Sequence, residues 1–231
     1  MPYPFAHPAA VLPLARPLGR LAVPSALAIG SMSPDLWYFV PLLSRSDSHS
    51  LAGLAWFCVP AGLIAYALFH LLLKQPLIAL ISPRLGAFTP AGLPPVPWHA
   101  VIVSLLVGGL THLGWDELTH SYDHGSQHNW LQHASTAFGS AVLAWWSAQK
   151  LRRVPPVPGP LSRLARICIA CALAAAALVA ALHAADLPSS DDLRALRRFL
   201  RTGGIAALQA LGAALFIYCL VFQRKMIRRA A

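Results

Sequence analysis

Residues 51–73 read LAGLAWFCVPAGLIAYALFHLLL, 23 positions without a single Asp, Glu, Lys or Arg. A bilayer core takes a helix of about 20 apolar residues, because lipid offers the backbone no hydrogen-bond partners and only a closed helical ladder satisfies it. The stretch therefore predicts a membrane-spanning helix. Further apolar runs flank it at residues 21–43, 99–115, 131–149, 167–187 and 204–222. The expected fold is all-α, a multi-pass transmembrane helical bundle of about six spans with short interfacial helices. Ser33-Pro34-Asp35 interrupts the first run, and Pro60 lies inside residues 51–73. Prolines at 2, 4, 8, 13 and 17 argue against a spanning helix in residues 1–20 and suit a short helix near Pro8–Gly19. The apolar segment 77–81, set among prolines, is too short to span and is expected at the interface.

Composition agrees. The 231 residues are 57% hydrophobic and only 11% charged, with a mean hydropathy of +0.58. Soluble domains carry about 25% charged residues, so a disordered chain is excluded and the composition points away from an ordinary soluble globule. Cys58, Cys168, Cys171 and Cys219 all sit in apolar runs, and their spacing makes neither a disulfide framework nor a zinc knuckle. The net charge of +10 comes from cations at the ends of apolar runs, with no basic stripe interleaved with aromatics. That pattern excludes nucleic acid as a partner and favours lipid headgroups. With six alternating spans and both termini inside, 13 Lys and Arg fall on the cytoplasmic side and 5 outside, which sets the expected orientation. The stiff segment Val154–Pro160 divides the chain. Residues 1–150 form a region rich in His and Asp, 151–166 a Pro/Arg-rich linker, and 167–231 two further spans.

Within the front region, His112, Asp116 and His120 are spaced i, i+4, i+8. Each step of four advances about 40° around a helix and about 6 Å along it, so the three share one stripe. Neutral imidazoles and carboxylates in that arrangement are ligands for zinc and similar divalent ions. The charge-derived threading brings Asp35, His49, His112, Asp116 and His133 to one membrane face, although no histidine entered the charge count. His7 joins them if the first segment folds back as a short hairpin. His70 lies about 31 Å along an unbroken helix from His49 and is left outside the set. Asp123, His124 and His128 read as solvated loop residues, His183 as structural, and His99 as an interface residue.

Several stretches, in this order, resemble one bacterial membrane family: Phe5-Ala6-His7-Pro8-Ala9-Ala10, Gly30-Ser31-Met32-Ser33-Pro34-Asp35, His49-Ser50-Leu51-Ala52-Gly53, Phe69-His70-Leu71-Leu72-Leu73, Gly109-Leu110-Thr111-His112-Leu113-Gly114-Trp115-Asp116 with Thr119-His120, and Leu131-Gln132-His133. It is the domain-of-unknown-function family 4184, and the resemblance covers roughly residues 1–150. More distantly the pattern is similar to membrane-bound metal-dependent hydrolases, and to the helical zinc-dependent phospholipase C and P1-type nucleases. That likeness implies one to three zinc ions. Asp35, His49, His112 and Asp116 would surround one, His7 would join Asp116 on another, and His120 and His133 would serve the third. The residue four beyond His133 is Ala137, which cannot ligate. The expected activity is metal-assisted hydrolysis of a phosphoester or lipid-linked ester at the outer face of a bacterial inner membrane, with Asp35 as the water-orienting or deprotonating group. The alternatives are a transporter or metal-handling protein, or a non-catalytic scaffold, built on the same cluster.

Overall fold

The computed structural model describes residues 4–39, 44–82, 92–121, 130–155, 159–184 and 193–230. Every regular element among them is helical: α1 (Pro8–Val11), α2 (Ala15–Leu18), α3 (Pro24–Gly30), α4 (Arg45–Ser48), α5 (Leu51–Ile81), α6 (Trp98–Ser121), α7 (Trp130–Arg152), α8 (Arg163–Ala184) and α9 (Leu193–Ala230). A 3-10 segment, Ser33–Phe39, follows α3. The chain forms two compact units, Met1–Phe69 with Gly92–Val154, and His70–Ala91 with Pro155–Ala231.

Four helical segments among the described residues are long and apolar enough to cross a bilayer: Leu51–Ile81, Trp98–Thr119, Arg163–Ala184 and Thr202–Met226. Six were expected, and the two differences have local causes. In the run at 21–43, α3 ends at Gly30. The Ser31 and Ser33 hydroxyls donate back to the Ala28 and Gly30 carbonyls, and Pro34 has no N–H with which to continue the ladder. Helix α7 is 23 residues long, but Gln132, His133, Ser135 and Thr136 load its start with polar groups.

Helix α5 departs from expectation in the other direction. It does not stop near Leu73; it continues to Ile81 and takes in the segment assigned to the interface. Pro60 and Pro76 each remove a ladder donor, and each is preceded by a π-helical turn, Leu54–Cys58 and Phe69–Leu73. Around Pro76, in the second unit, helix α9 supplies the missing donors. Gln223 Nε2 donates to the Leu71 and Leu72 carbonyls at 3.4 and 3.3 Å, and the Tyr218 hydroxyl donates to the Pro76 carbonyl at 2.9 Å. A proline-kinked helix is thereby made compatible with an apolar medium. In the same unit α8 and α9 pack together, with Gly203 close to Ala181. Leu164, Leu178, Leu182, Phe216 and Ile217 remain exposed on these two helices, an apolar surface suited to lipid.

The first unit is built where α3, α5 and α6 meet. Val23, Ala26, Tyr66, Ala100, Val101 and Leu105 form its core. A second cluster of Leu54, Phe57 and Cys58 is covered by Leu36, Trp37, Leu106 and Leu113. The Ser104 hydroxyl accepts from the Val23 N–H and donates to the Leu21 carbonyl, which fixes the start of α3 on α6. At the other end of α3 the two backbones touch. A Cβ on Gly30 would stand 2.7 Å from Leu105 Cα, and one on Gly108 would stand 2.6 Å from the Ser31 nitrogen. Small residues at such a crossing let helices approach more closely than any side chain permits.

Gly108→Ala is therefore expected to destabilise the detergent-solubilised protein by about 1–3 kcal/mol through overpacking. Gly114, on the same helix, has nothing within 4 Å of an added Cβ, so Gly114→Ala is expected to leave the thermal midpoint unchanged or slightly raised. Equal midpoints for the two variants would contradict the close crossing.

Candidate metal centre

Four separate pieces of the first unit bring the polar cluster together. His7 immediately precedes α1, and its side chain makes no capping bond to that helix. Its neighbour Ala6 lies against α7 at Gly139, where an added Cβ would stand 2.8 Å from the Ala6 carbonyl oxygen. Asp35 sits in the first turn of the 3-10 segment after α3, its N–H bonded to the Met32 carbonyl. His49 follows α4, a single turn closed by a capping box in which Ser44 and Asp47 satisfy each other's backbone N–H groups. His112 and Asp116 are one turn apart near the end of α6.

The side chains converge. His7 is 2% exposed, Asp35 4%, His112 0% and Asp116 4%. The Nε2 atoms of His49 and His112 are 3.3 Å apart. His49 Nε2 lies 3.5 Å from Asp35 Oδ1 and 3.6 Å from Asp116 Oδ2. His112 Nε2 lies 3.9 and 3.8 Å from the same two oxygens. His7 stacks on His112 with ring centroids 3.9 Å apart, and its Nε2 is 3.9 Å from the other Asp116 oxygen, Oδ1. Two groups, His7–Asp35–His112 and His49–His112–Asp116, could each hold a metal ion, with ligand atoms within 4.8 Å of one another.

The hydrogen bonds around the cluster fix which atoms face inward. The Ser31 carbonyl can only accept, so His112 donates to it from Nδ1 at 2.8 Å. The Ser48 hydroxyl donates to the Arg45 carbonyl, which leaves its oxygen to accept from His49 Nδ1 at 2.9 Å. Both imidazoles then turn an Nε2 lone pair to the centre. Lone pairs facing each other at that separation repel unless a proton or a cation lies between them. A tetrahedral ion with bonds of about 2.0–2.1 Å holds its ligands about 3.3–3.4 Å apart, which matches the two nitrogens. Among the described residues, both nitrogens of His7 and Oδ1 of Asp35 are buried without a hydrogen-bond partner, a costly state for polar atoms that a bound ion would relieve. Burial, reinforced by the neighbouring His112, pushes the His7 imidazole down to about 3 although Asp35 opposes the shift. His7 is neutral at physiological pH, as a ligand must be.

Of the sequence-derived set, His7, Asp35, His49, His112 and Asp116 are brought together. His133 is not. It is exposed on α7 and belongs to neither group, because the side chain of that turn directed inward is the buried Gln132. The backbone of His120 continues α6, but its side chain lies outside the described residues, as do Asp123, His124 and His128. His70 is buried in the second unit, its Nδ1 3.1 Å from Lys74 Nζ. Cys168 and Cys171 are free thiols exposed on α8, within the apolar run where they were expected.

Arg45 and Ser48 were not anticipated. Arg45 Nη2 donates to Asp116 Oδ2 at 2.9 Å. The available signal was their spacing, four and one residues before His49, the first of these being one helical turn.

Two measurements test this geometry. Ser48→Ala removes the acceptor that orients His49 and is expected to weaken zinc binding about 10–100-fold, with unchanged affinity as the contrary result. For the metal-free protein, unfolded His7 titrates near 6.5 and folded His7 near 3. Between those values the unfolded state binds more protons, so this contribution to stability is complete above 6.5 and is lost as pH falls. Over that window the wild type should lose up to about 1.4 kcal/mol per pH unit more than His7→Gln. Parallel pH profiles for the two proteins would contradict a buried neutral His7.

No curated protein and no solved structure matches the chain. The model of one protein family, Domain of unknown function (DUF4184), matches residues 1–220. That range takes in every member of the cluster and extends beyond residue 150 into α9. On this match the chain belongs to the DUF4184 family.

Proposed function

We propose that this protein is a membrane-embedded, metal-dependent hydrolase of a phosphoester or lipid-linked ester. The observation that carries the reading is the convergence of three imidazoles and two carboxylates from four separate chain segments into two buried groups that share His112. Ionisable groups buried at the end of apolar helices are expensive, and they persist where they serve a function. Ligand type and spacing favour zinc. The two oxygens of Asp116 face different partners, His7 on one side and His49 with His112 on the other, so Asp116 would be available as a ligand on either side.

A divalent ion bound there supplies Lewis acidity, lowering the pKa of a water and offsetting charge on the ester. The chain's own part is positional. Asp35, buried beside His49 and His112, would take the proton from the attacking water. The water oxygen bonds to phosphorus, the ester P–O bond breaks, and the proton passes to the departing alkoxide. His49 and His112 are oriented by their Nδ1 hydrogen bonds. A site where α5 begins and Trp98–Thr119 ends suits headgroup depth, which favours an ester carried by a lipid. The Lys/Arg distribution favours a site facing outward from a bacterial inner membrane with both termini cytoplasmic.

Purified wild type is expected to carry stoichiometric zinc by elemental analysis and to cleave one member of a phosphodiester and phospholipid panel in detergent. His112→Ala and Asp116→Ala should lose the metal, with activity falling by at least about 100-fold. Chelation should abolish cleavage, and zinc should restore it. A metal-free wild type overturns the reading. Bound metal with no cleavage across the panel assigns the centre to metal handling.

A further inference from the structure

Arg45 differs from the rest of the cluster in its exposure. Its side chain is 41% exposed, whereas those of His7, Asp35, His49, His112 and Asp116 range from 0 to 7%. It stands between solvent and the buried acids and is anchored on the inner side by its bond to Asp116 Oδ2. Its backbone is held as firmly. The Arg45 carbonyl accepts from both the Ser48 hydroxyl and the His49 N–H, and the capping box closes the turn. A guanidinium carries five N–H donors in a planar fork. Only one is engaged among the described residues, and Nε is buried with no acceptor.

A substrate anion approaching this centre meets two carboxylates, which repel it. The guanidinium supplies the compensating charge at the point of entry, with unused donors in the geometry that grips phosphoryl oxygens. Resting on the hydrolase reading, we propose that Arg45 is the anion-recognition residue of the site and that the substrate is a phosphate ester. Its phosphoryl oxygens are received by the free edge of the guanidinium, while Asp116 holds the opposite edge. Arg45 would then touch the substrate, and Asp116 would position it.

The test uses the full-length, zinc-loaded protein in detergent, with inorganic phosphate as the probe in calorimetric titration and zinc content measured on the same samples. Wild type should bind phosphate. Arg45→Gln should keep its zinc and bind phosphate at least about 10-fold more weakly, the loss expected for a charge-assisted contact. Arg45→Lys, which keeps the charge but not the fork, should fall between. Titration with short-chain phosphatidic acid against glycerol phosphate separates the two sources of the anion: tighter binding of the lipid assigns a lipid headgroup, and equal binding a free phosphate ester. Equal phosphate affinity in wild type and Arg45→Gln overturns the proposal and leaves the hydrolase reading standing. Loss of zinc in Arg45→Gln also overturns it, since Arg45 then only holds Asp116. A wild type without zinc removes the hydrolase reading, and this inference with it.

Discussion

The contact between α3 and α6 at Gly30 and Gly108 governs the arrangement of the cluster. No side chain fits between the two backbones there, so the end of α3 lies directly against α6. Two consequences follow within one turn. The Ser31 carbonyl reaches His112 Nδ1, which fixes the tautomer and aim of that imidazole. Asp35, four residues beyond Ser31, arrives opposite His112 and Asp116, on the side where α4 brings His49. Separating the helices by the width of one methyl group would move the hydrogen-bonded partner and the carboxylate together.

The polar cluster is expensive in the fold that it occupies. Its buried atoms include two nitrogens of His7 and an oxygen of Asp35 that no group among the described residues satisfies. Burial without a partner costs a few kcal/mol per group. Stability alone would favour apolar residues of similar volume at these positions. A cation at the centre changes that balance, because it satisfies several of these atoms at once and removes the repulsion between the facing lone pairs of His49 and His112.

Much of this was legible in the sequence because its periodicities are simple. The i, i+4 spacing of His112 and Asp116 placed them on one stripe, and the charge count put Asp35 and His49 at the same membrane face. His7 required a fold-back of the first segment. Less legible was anything that depended on a distant partner. The continuation of α5 through Pro76 rests on Gln223 and Tyr218 of α9, which no local pattern announces. His133 has the right residue type, but its turn of α7 buries Gln132 instead. The run at 21–43 has the composition of a span, yet two serine hydroxyls and a proline end its helix early. Arg45 entered the sequence reading only as a topological charge, since nothing in its immediate surroundings tells that its side chain turns to Asp116.

The central claim is that imidazole nitrogens and carboxylate oxygens, without sulfur, hold a zinc ion at this crossing. X-ray absorption at the zinc edge of the purified full-length protein reads this directly. The account predicts nitrogen and oxygen neighbours at about 2.0–2.2 Å, with the outer scattering of imidazole rings. Zinc absorption dominated by sulfur at about 2.3 Å, or no zinc absorption from correctly folded protein, would contradict it.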